Sequence, residues 1–269
     1  MDFYAVDSWL RADPATLEEL AADDLVVVIR YFGFPCAGDV VARAQHEGAW
    51  ILDDACQALL SERPDDRQLT LYSPRKFIGV PDGGILQIPT GIELADTAFD
   101  AAPSRWWKVS MQASRGRRRF DDGVGDRSWF TAFQESEARS PVEPYAMSGV
   151  TDTLLRGALP WSDIAQRRIE NFATLLERLE AWALFGHRPA GVVPLGFPIR
   201  VPDRERVLAR LLANDIYPPV HWPVPADVPR RFADSRRLAS EILTLPCDQR
   251  YVRSEMERVA ALTLDALGR

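Results

Sequence analysis

The stretch "DLVVVIRYFGFP" constrains this chain more than any other. Leu25 to Ile29 is an unbroken apolar run. A strand with no polar face belongs inside a sheet covered on both sides, which is the setting of parallel strands. Pro35 and Gly38 end the run, Asp39 to Glu47 reads as a short helix, and "AWIL" is a second apolar strand closing at Asp53. "LTLY" at 69–72 and "GGILQI" at 83–88 are two further strand candidates. Strands alternating with helices place this half in the α/β class with a parallel or mixed sheet. Ligands of such sheets sit beyond the carboxyl ends of the strands. Asp53, Asp54 and the Ser73–Lys76 loop all fall at such ends.

The middle stretch, about 89–160, is polar and glycine-rich, with "RWWKVSMQASRG" reading as a helix. A long helix follows, with Ser162 as its N-cap and Gly186 closing it. Its residues Ile169, Phe172, Leu176 and Leu179 recur at helical spacing and should face a core. Then come a strand in "GVVPLGFPIRVP", a helix marked by Val207, Leu208, Leu211 and Leu212, and a Pro-rich edge or loop, "IYPPVHWPVP". "ILTLPC" and a helix with Val252, Met256, Val259 and Leu262 finish the chain. The expected division is a large α/β domain over 1–160 and a small α+β domain over 161–269.

Bulk properties exclude several function classes. The 269 residues carry a net charge of -7, which argues against nucleic acid or an anionic membrane as the main partner. The basic cluster Arg115, Arg117, Arg118 and Arg119 reads as a solvated helix end. Three cysteines without metal spacing fit a reducing cytoplasm, and no metal site is expected. No apolar run reaches the length of a membrane span, and "MDFYAVDSW" lacks the features of a signal peptide. A cytoplasmic protein is expected.

A lysine in a loop at strand ends, near a carboxylate, suits pyridoxal phosphate. The amine forms a Schiff base with the aldehyde, and a carboxylate keeps the ring nitrogen protonated so that the ring accepts electrons. Lys76 and Asp54 would take those roles, with Asp54 buried near Lys76 and Asp53 pointing away, since adjacent strand residues face opposite sides. The residues alone leave a plainer alternative open: Asp54 caps a turn and Lys76 is a surface lysine. Gly83 and Gly84 most simply permit a turn with positive φ. Cys56 is a small core residue, His46 and His187 sit near helix ends, and His221 between prolines is a packing residue or a ligand. Trp106 and Trp107 pack a helix or line a sugar pocket.

"YFGFP", "ILDDACQA" and "YSPRKFIGVPDGG" together resemble the DegT/DnrJ/EryC1/StrS family of pyridoxal-phosphate aminotransferases. "RRIENFATLLERL", "VLARLLANDIYPPVHWP" and "LTLPCDQRYVRSEMERV" are similar to later segments of that family, so the resemblance covers nearly the whole chain. It implies a type I PLP-dependent transferase-like fold, with a mixed, mostly parallel sheet, helices, and a small C-terminal α+β domain. It assigns Asp54 to the ring nitrogen, Gln57 to the ring hydroxyl, Lys76 to the covalent link and proton transfer, and His221 to a substrate contact. It further implies a homodimer that moves an amino group from an amino acid, commonly glutamate, to a keto-sugar nucleotide. Two departures stand out. The section that family members place before the point matching "FYAVD" is absent, and Leu71 occupies the place of the phosphate-binding serine, leaving Ser73 as the nearer hydroxyl. The alternative implied by these departures is a catalytically reduced relative, acting as a binding or partner subunit without bound cofactor.

Overall fold

In the computed structural model, which describes residues 2–17, 19–36, 38–63, 67–93, 95 and 98–268, the apolar run of the first half forms strand β1, Leu25–Ile29. It is followed by helix α1 (Gly38–His46), then β2 (Trp50–Asp54), β3 (Leu69–Tyr72) and β4 (Ile85–Gln87). The middle contains β5 (Asp100–Ala101), α2 (Ser104–Asp121), α3 (Ser128–Ala138), β6 (Tyr145–Ala146) and α4 (Gly149–Arg156). The remainder holds α5 (Trp161–Leu179), β7 (Phe197–Arg200), α6 (Arg204–Leu212), α7 (Ala233–Glu241), β8 (Ile242–Leu245) and α8 (Arg253–Leu267). The result is an α/β fold whose pairings are mostly parallel: β1 with β2 and β5 with β6 run parallel, β7 with β8 antiparallel. No helix among the described residues is long and apolar enough to cross a membrane.

The chain forms two compact units. One joins Met1–Thr70 to Trp161–Arg269, and the other is Leu71–Pro160. Compactness therefore groups 1–70 with 161–269, whereas the sequence places its domain boundary at 160.

The first unit is built on a large apolar core. Phe32 and Phe34 from the "YFGFP" turn lie there with Phe172, Leu175 and Leu179 of α5, Phe197 and Ile199 of β7, and Leu243 and Leu245 of β8. The helical spacing of α5 puts Ile164, Phe172, Leu175 and Leu179 on its buried face. Leu176 and Ile169 sit at the edge of that stripe, half-buried. The helix starts at Trp161 and ends at Leu179, so Ser162 lies inside it and Gly186 well beyond it. A short 3-10 turn at Glu180–Trp182 takes over where α5 stops. "IYPPVHWPVP" is a loop rather than a strand, as its prolines dictate.

Three polar residues of α5 are buried, Arg168, Asn171 and Thr174, and the first two reach across to other segments. Arg168 donates through Nε to Gln249 Oε1 at 2.8 Å and through Nη1 to the carbonyls of Pro194 and Leu195. Asn171 Nδ2 donates to the carbonyls of Asp248 and Tyr251, both at 3.0 Å. Together they fasten the segment entering β7 and the segment leaving β8 to one helix. These bonds satisfy four backbone carbonyls, those of Pro194, Leu195, Asp248 and Tyr251, that would otherwise be costly to bury.

A second, smaller cluster packs Val26 and Val28 of β1 and Ile51 of β2 against Val40 and Ala44 of α1. The register sets Leu25 beside Trp50 and Ile29 beside Asp54. Because side chains alternate along a strand, Leu25, Val27, Trp50 and Asp54 share the opposite face. That face is open: Leu25 is 53%, Val27 40% and Trp50 46% exposed.

In the second unit, α2 packs against α3. Gly116 of α2 permits the contact, since a Cβ there would stand 2.8 Å from Trp129 Cβ. Trp106 Nε1 donates to the Ser136 carbonyl at 2.8 Å.

Candidate active site

The adjacent carboxylates of β2 point to opposite faces and have different environments. Asp53 is buried and held by Arg30, whose Nε lies 2.9 Å from both carboxylate oxygens and whose Nη2 donates to Oδ2. Arg30 Nη1 also donates to the Glu62 carbonyl at 3.0 Å. Removing one member of such a buried pair strands the other charge and costs about 3–5 kcal/mol. Asp53 is therefore a fastening residue of the strand. Asp54 is half-exposed, and its Oδ1 accepts the Cys56 amide at 3.0 Å, which bends the chain out of the strand. The sequence expectation that Asp54 is the buried carboxylate is corrected: Asp53 is buried because its face of the strand meets Arg30, while the face of Asp54 is the open one.

Gln57 is buried, and its Oε1 accepts the Phe32 amide at 2.6 Å. Phe32 adopts φ 57°, a left-handed conformation that a bulky residue takes only when its surroundings impose it. Gln57 supplies part of that restraint, and the Leu195 amide, which donates to the Phe32 carbonyl at 2.9 Å, supplies more. Gly33 follows with φ 94°, and a Cβ there would lie 2.8 Å from the Val193 carbonyl oxygen, so only glycine fits. Since the amide oxygen of Gln57 is taken, its NH2 end is the part available to a ligand acceptor.

His221 is brought to the same turn. Its ring meets Phe32 edge to face, centroids 5.5 Å apart, and Nδ1 lies 2.9 Å from Thr244 Oγ1 on β8. Phe32 is thus touched by Gln57 through its backbone and by His221 through its ring. Tyr31, next in the turn, is raised in pKa by burial and secondarily by nearby negative charge, including that of Asp54. Arg30 and Phe32 are the residues that sequence reasoning did not single out. The only sequence signal for Arg30 was its position after an apolar strand that leaves no water to solvate it.

The remaining predicted residues lie in the second unit. β3 leads into a 3-10 turn, Pro74–Lys76, in which the Lys76 amide donates to the Ser73 carbonyl at 3.2 Å. Ser73 is half-buried and its hydroxyl makes no capping bond, while Lys76 is exposed. Among the described residues the Lys76 amine has no ion-pair or hydrogen-bond partner. Past the turn, buried Asp82 accepts from the Ser148 amide at 3.1 Å, from the Ser148 hydroxyl at 2.9 Å and from the Thr151 hydroxyl. Ser148 in turn caps α4. Gly83 has φ 102°, the positive value expected of a glycine turn. The "PDGG" segment is therefore a clamp on the start of α4. Among the described residues no group of three or more His, Cys, Asp or Glu could hold a metal ion.

No family model and no curated protein sequence matches this chain. Solved structures do. A DegT DnrJ EryC1 StrS aminotransferase from Brucella abortus superposes with a TM-score of 0.60 at 15% identity, over 99% of this chain and 73% of its own. DesV of S. venezuelae, solved in complex with a ketimine intermediate, gives 0.62 at 16% identity, over 96% of this chain and 69% of its own. DesI, solved in the presence of its TDP-sugar product, gives 0.59 at 17% identity, over 98% and 68%. At these identities the likeness speaks for architecture, and it spans this chain almost end to end. The chain has the fold of the DegT/DnrJ/EryC1/StrS-type aminotransferases, the α/β fold of type I PLP-dependent transferases.

Proposed function

We propose that this protein is a pyridoxal-phosphate-dependent aminotransferase that passes an amino group from an amino acid to a keto-sugar nucleotide. The observation that carries the reading is the chain's use of lysine. It has 32 lysines and arginines, and only Lys76 and Lys108 are lysine. Where a cation alone is needed this sequence uses arginine. An amine differs from a guanidinium in that it can lose its proton and become a nucleophile. One of the two amines sits in the turn after β3, exposed and without a partner among the described residues.

The residues present fit the cofactor, each within its own unit. Asp54 offers a half-exposed carboxylate for a protonated ring nitrogen, and Gln57 an NH2 group for an anionic ring oxygen. Ser73 offers a hydroxyl that makes no capping bond, within the Lys76 turn, for a phosphate. When bound, pyridoxal phosphate supplies an aldehyde and an electron-accepting ring. Lys76 would hold the cofactor and, as the free amine, would move the proton on the substrate carbon. Asp54 keeps a proton on the ring nitrogen throughout. His221, oriented by Thr244 and Phe32, contacts the substrate. The sugar-nucleotide class is supported by DesI, which was solved with its TDP-sugar product.

We also propose a homodimer working in the cytoplasm. The open face carrying Leu25, Val27 and Trp50 is apolar enough to favour a covering surface, and light scattering that gives one chain's mass at micromolar concentration would contradict it.

The reading is tested by adding pyridoxal phosphate at up to millimolar concentration to the wild type and to Lys76→Ala. A protein-bound visible absorbance band in the wild type alone is the expected result. An identical spectrum for both proteins would remove the aminotransferase reading and favour a binding or partner subunit without the cofactor.

A further inference from the structure

The basic cluster of α2 divides into two sets. Arg117 and Arg118 pair with Asp121 and Asp122 one turn on, at 2.9 and 2.7 Å, and Arg117 also lies over the Trp129 ring. These two are a solvated helix end, as the sequence indicates. Arg115 and Arg119 are on another face. With Trp107, Lys108 and Met111 they line an open groove of about 410 Å³ that has no acidic residue in its wall. Lys108 and Arg115 have no partner among the described residues, and Arg119 has only the Val124 carbonyl at 3.3 Å.

We infer that this groove binds a nucleoside diphosphate, its base toward Trp107 and its phosphates between Arg115 and Arg119. Three observations support it. Like charges at i and i+4 destabilise a helix, and Arg115 and Arg119 stand in that relation without a neutralising carboxylate. A phosphate bound between two guanidiniums relieves that repulsion through charge-assisted, bidentate hydrogen bonds. The floor is apolar, with buried Met111 beside an indole, and aromatic walls accept the faces of bases. Helical rise sets the Trp107 end and Arg115 about 12 Å apart and Arg115 and Arg119 about 6 Å apart, a layout with ring and phosphate at separate ends. Finally, the groove holds Lys108, the second of the chain's two lysines. In a protein of net charge -7, a groove lined by cations, apolar groups and the neutral Gln112 selects for anions against a repelling background.

This inference does not depend on the aminotransferase reading. Isothermal titration of the full chain with uridine diphosphate tests it, with orthophosphate and uridine as the component probes. Submillimolar binding is expected at low ionic strength, weakening as salt rises. The exposed double variant Arg115→Ser, Arg119→Ser should lose at least tenfold in affinity for both uridine diphosphate and orthophosphate. Trp107→Leu should lose several-fold for uridine diphosphate and leave orthophosphate unchanged. Uridine diphosphate binding that the arginine and Trp107 substitutions leave unchanged belongs to the proposed substrate site and not to this groove. Unchanged affinity in the double arginine variant, or no binding at millimolar ligand, overturns the inference. So would tighter, arginine-dependent binding of an oligonucleotide, or a change of molecular mass in the double variant, since the groove would then be a nucleic-acid or subunit surface.

Discussion

In the unit formed by 1–70 and 161–269, Asp54, Gln57 and His221 rest on a core of phenylalanines and leucines contributed by both ends of the sequence. In the unit formed by 71–160, Lys76 rests on a short turn, and the buried polar centre is Asp82 with two hydroxyls. The first unit contains no lysine, and the second contains both. The first also buries an ion pair, Arg30 with Asp53, and two thiols, Cys36 and Cys247. Under the proposed function, the difference suits a division of labour. Groups that recognise a ring or substrate need fixed directions, which a packed core supplies. The group that makes and breaks a covalent bond needs freedom to swing, and a lightly packed turn leaves it that freedom.

The largest expected effect separates the adjacent carboxylates. Asp53→Ala should destabilise the first unit by about 3–5 kcal/mol, because Arg30 is left buried and unpaired. Asp54→Asn should change stability by less than about 0.5 kcal/mol, the range for an exposed site, while removing activity. Urea denaturation of both variants checks this. Equal losses of stability would erase the distinction between a fastening and a functional carboxylate.

A smaller effect is expected in the second unit. Asp82→Ala leaves the Ser148 and Thr151 hydroxyls without their acceptor, at about 1–3 kcal/mol for each buried group stranded. Hydrogen exchange should rise in peptides of 71–160 and stay unchanged in those of 1–70 and 161–269. Faster exchange throughout the chain would show that the two units do not respond separately.

The smallest effect is alkaline. Burial pushes Tyr4, Cys36 and Cys247 each up to about 12, and all three lie in the first unit. In the unfolded chain they ionise near 10, 9 and 9. The folded form therefore keeps its full advantage below about pH 9 and loses it as pH rises toward 12, because the unfolded chain gives up these protons first. Melting temperature should fall between pH 9 and 12, and Cys247→Ala should fall less steeply. A melting temperature that is flat over that window would contradict the buried, neutral thiols.

Much of the fold was legible because its signals are local. The run Leu25–Ile29 gave β1, the periodic apolar residues gave α5 and α8, and prolines marked the 217–225 loop. The end of α5 was not legible, since Gly186 looks like a terminator but the helix stops at Leu179, where a 3-10 turn begins. The motif residues Lys76, Asp54 and Gln57 could be named from their order. What could not be read was which neighbour each would meet. Asp53 and Arg30 come together only through the parallel register of β1 and β2, and Phe32 and His221 only through the packing of distant segments. Arg168 carries no sequence signal of burial, yet it is buried, with backbone carbonyls from the 194–195 segment turned toward it.

The most direct test of the account is to map where pyridoxal phosphate attaches. With two lysines in the chain, the protein is its own control: Lys76 is the proposed site and Lys108 an exposed amine without that role. Borohydride reduction of the cofactor-treated full chain, followed by peptide mass spectrometry, should place the fixed adduct on Lys76 near one per chain, with Lys108 largely unmodified. Asp54→Asn should label Lys76 as well as the wild type does. Equal labelling of Lys76 and Lys108, or an adduct on Lys108 alone, would contradict the account.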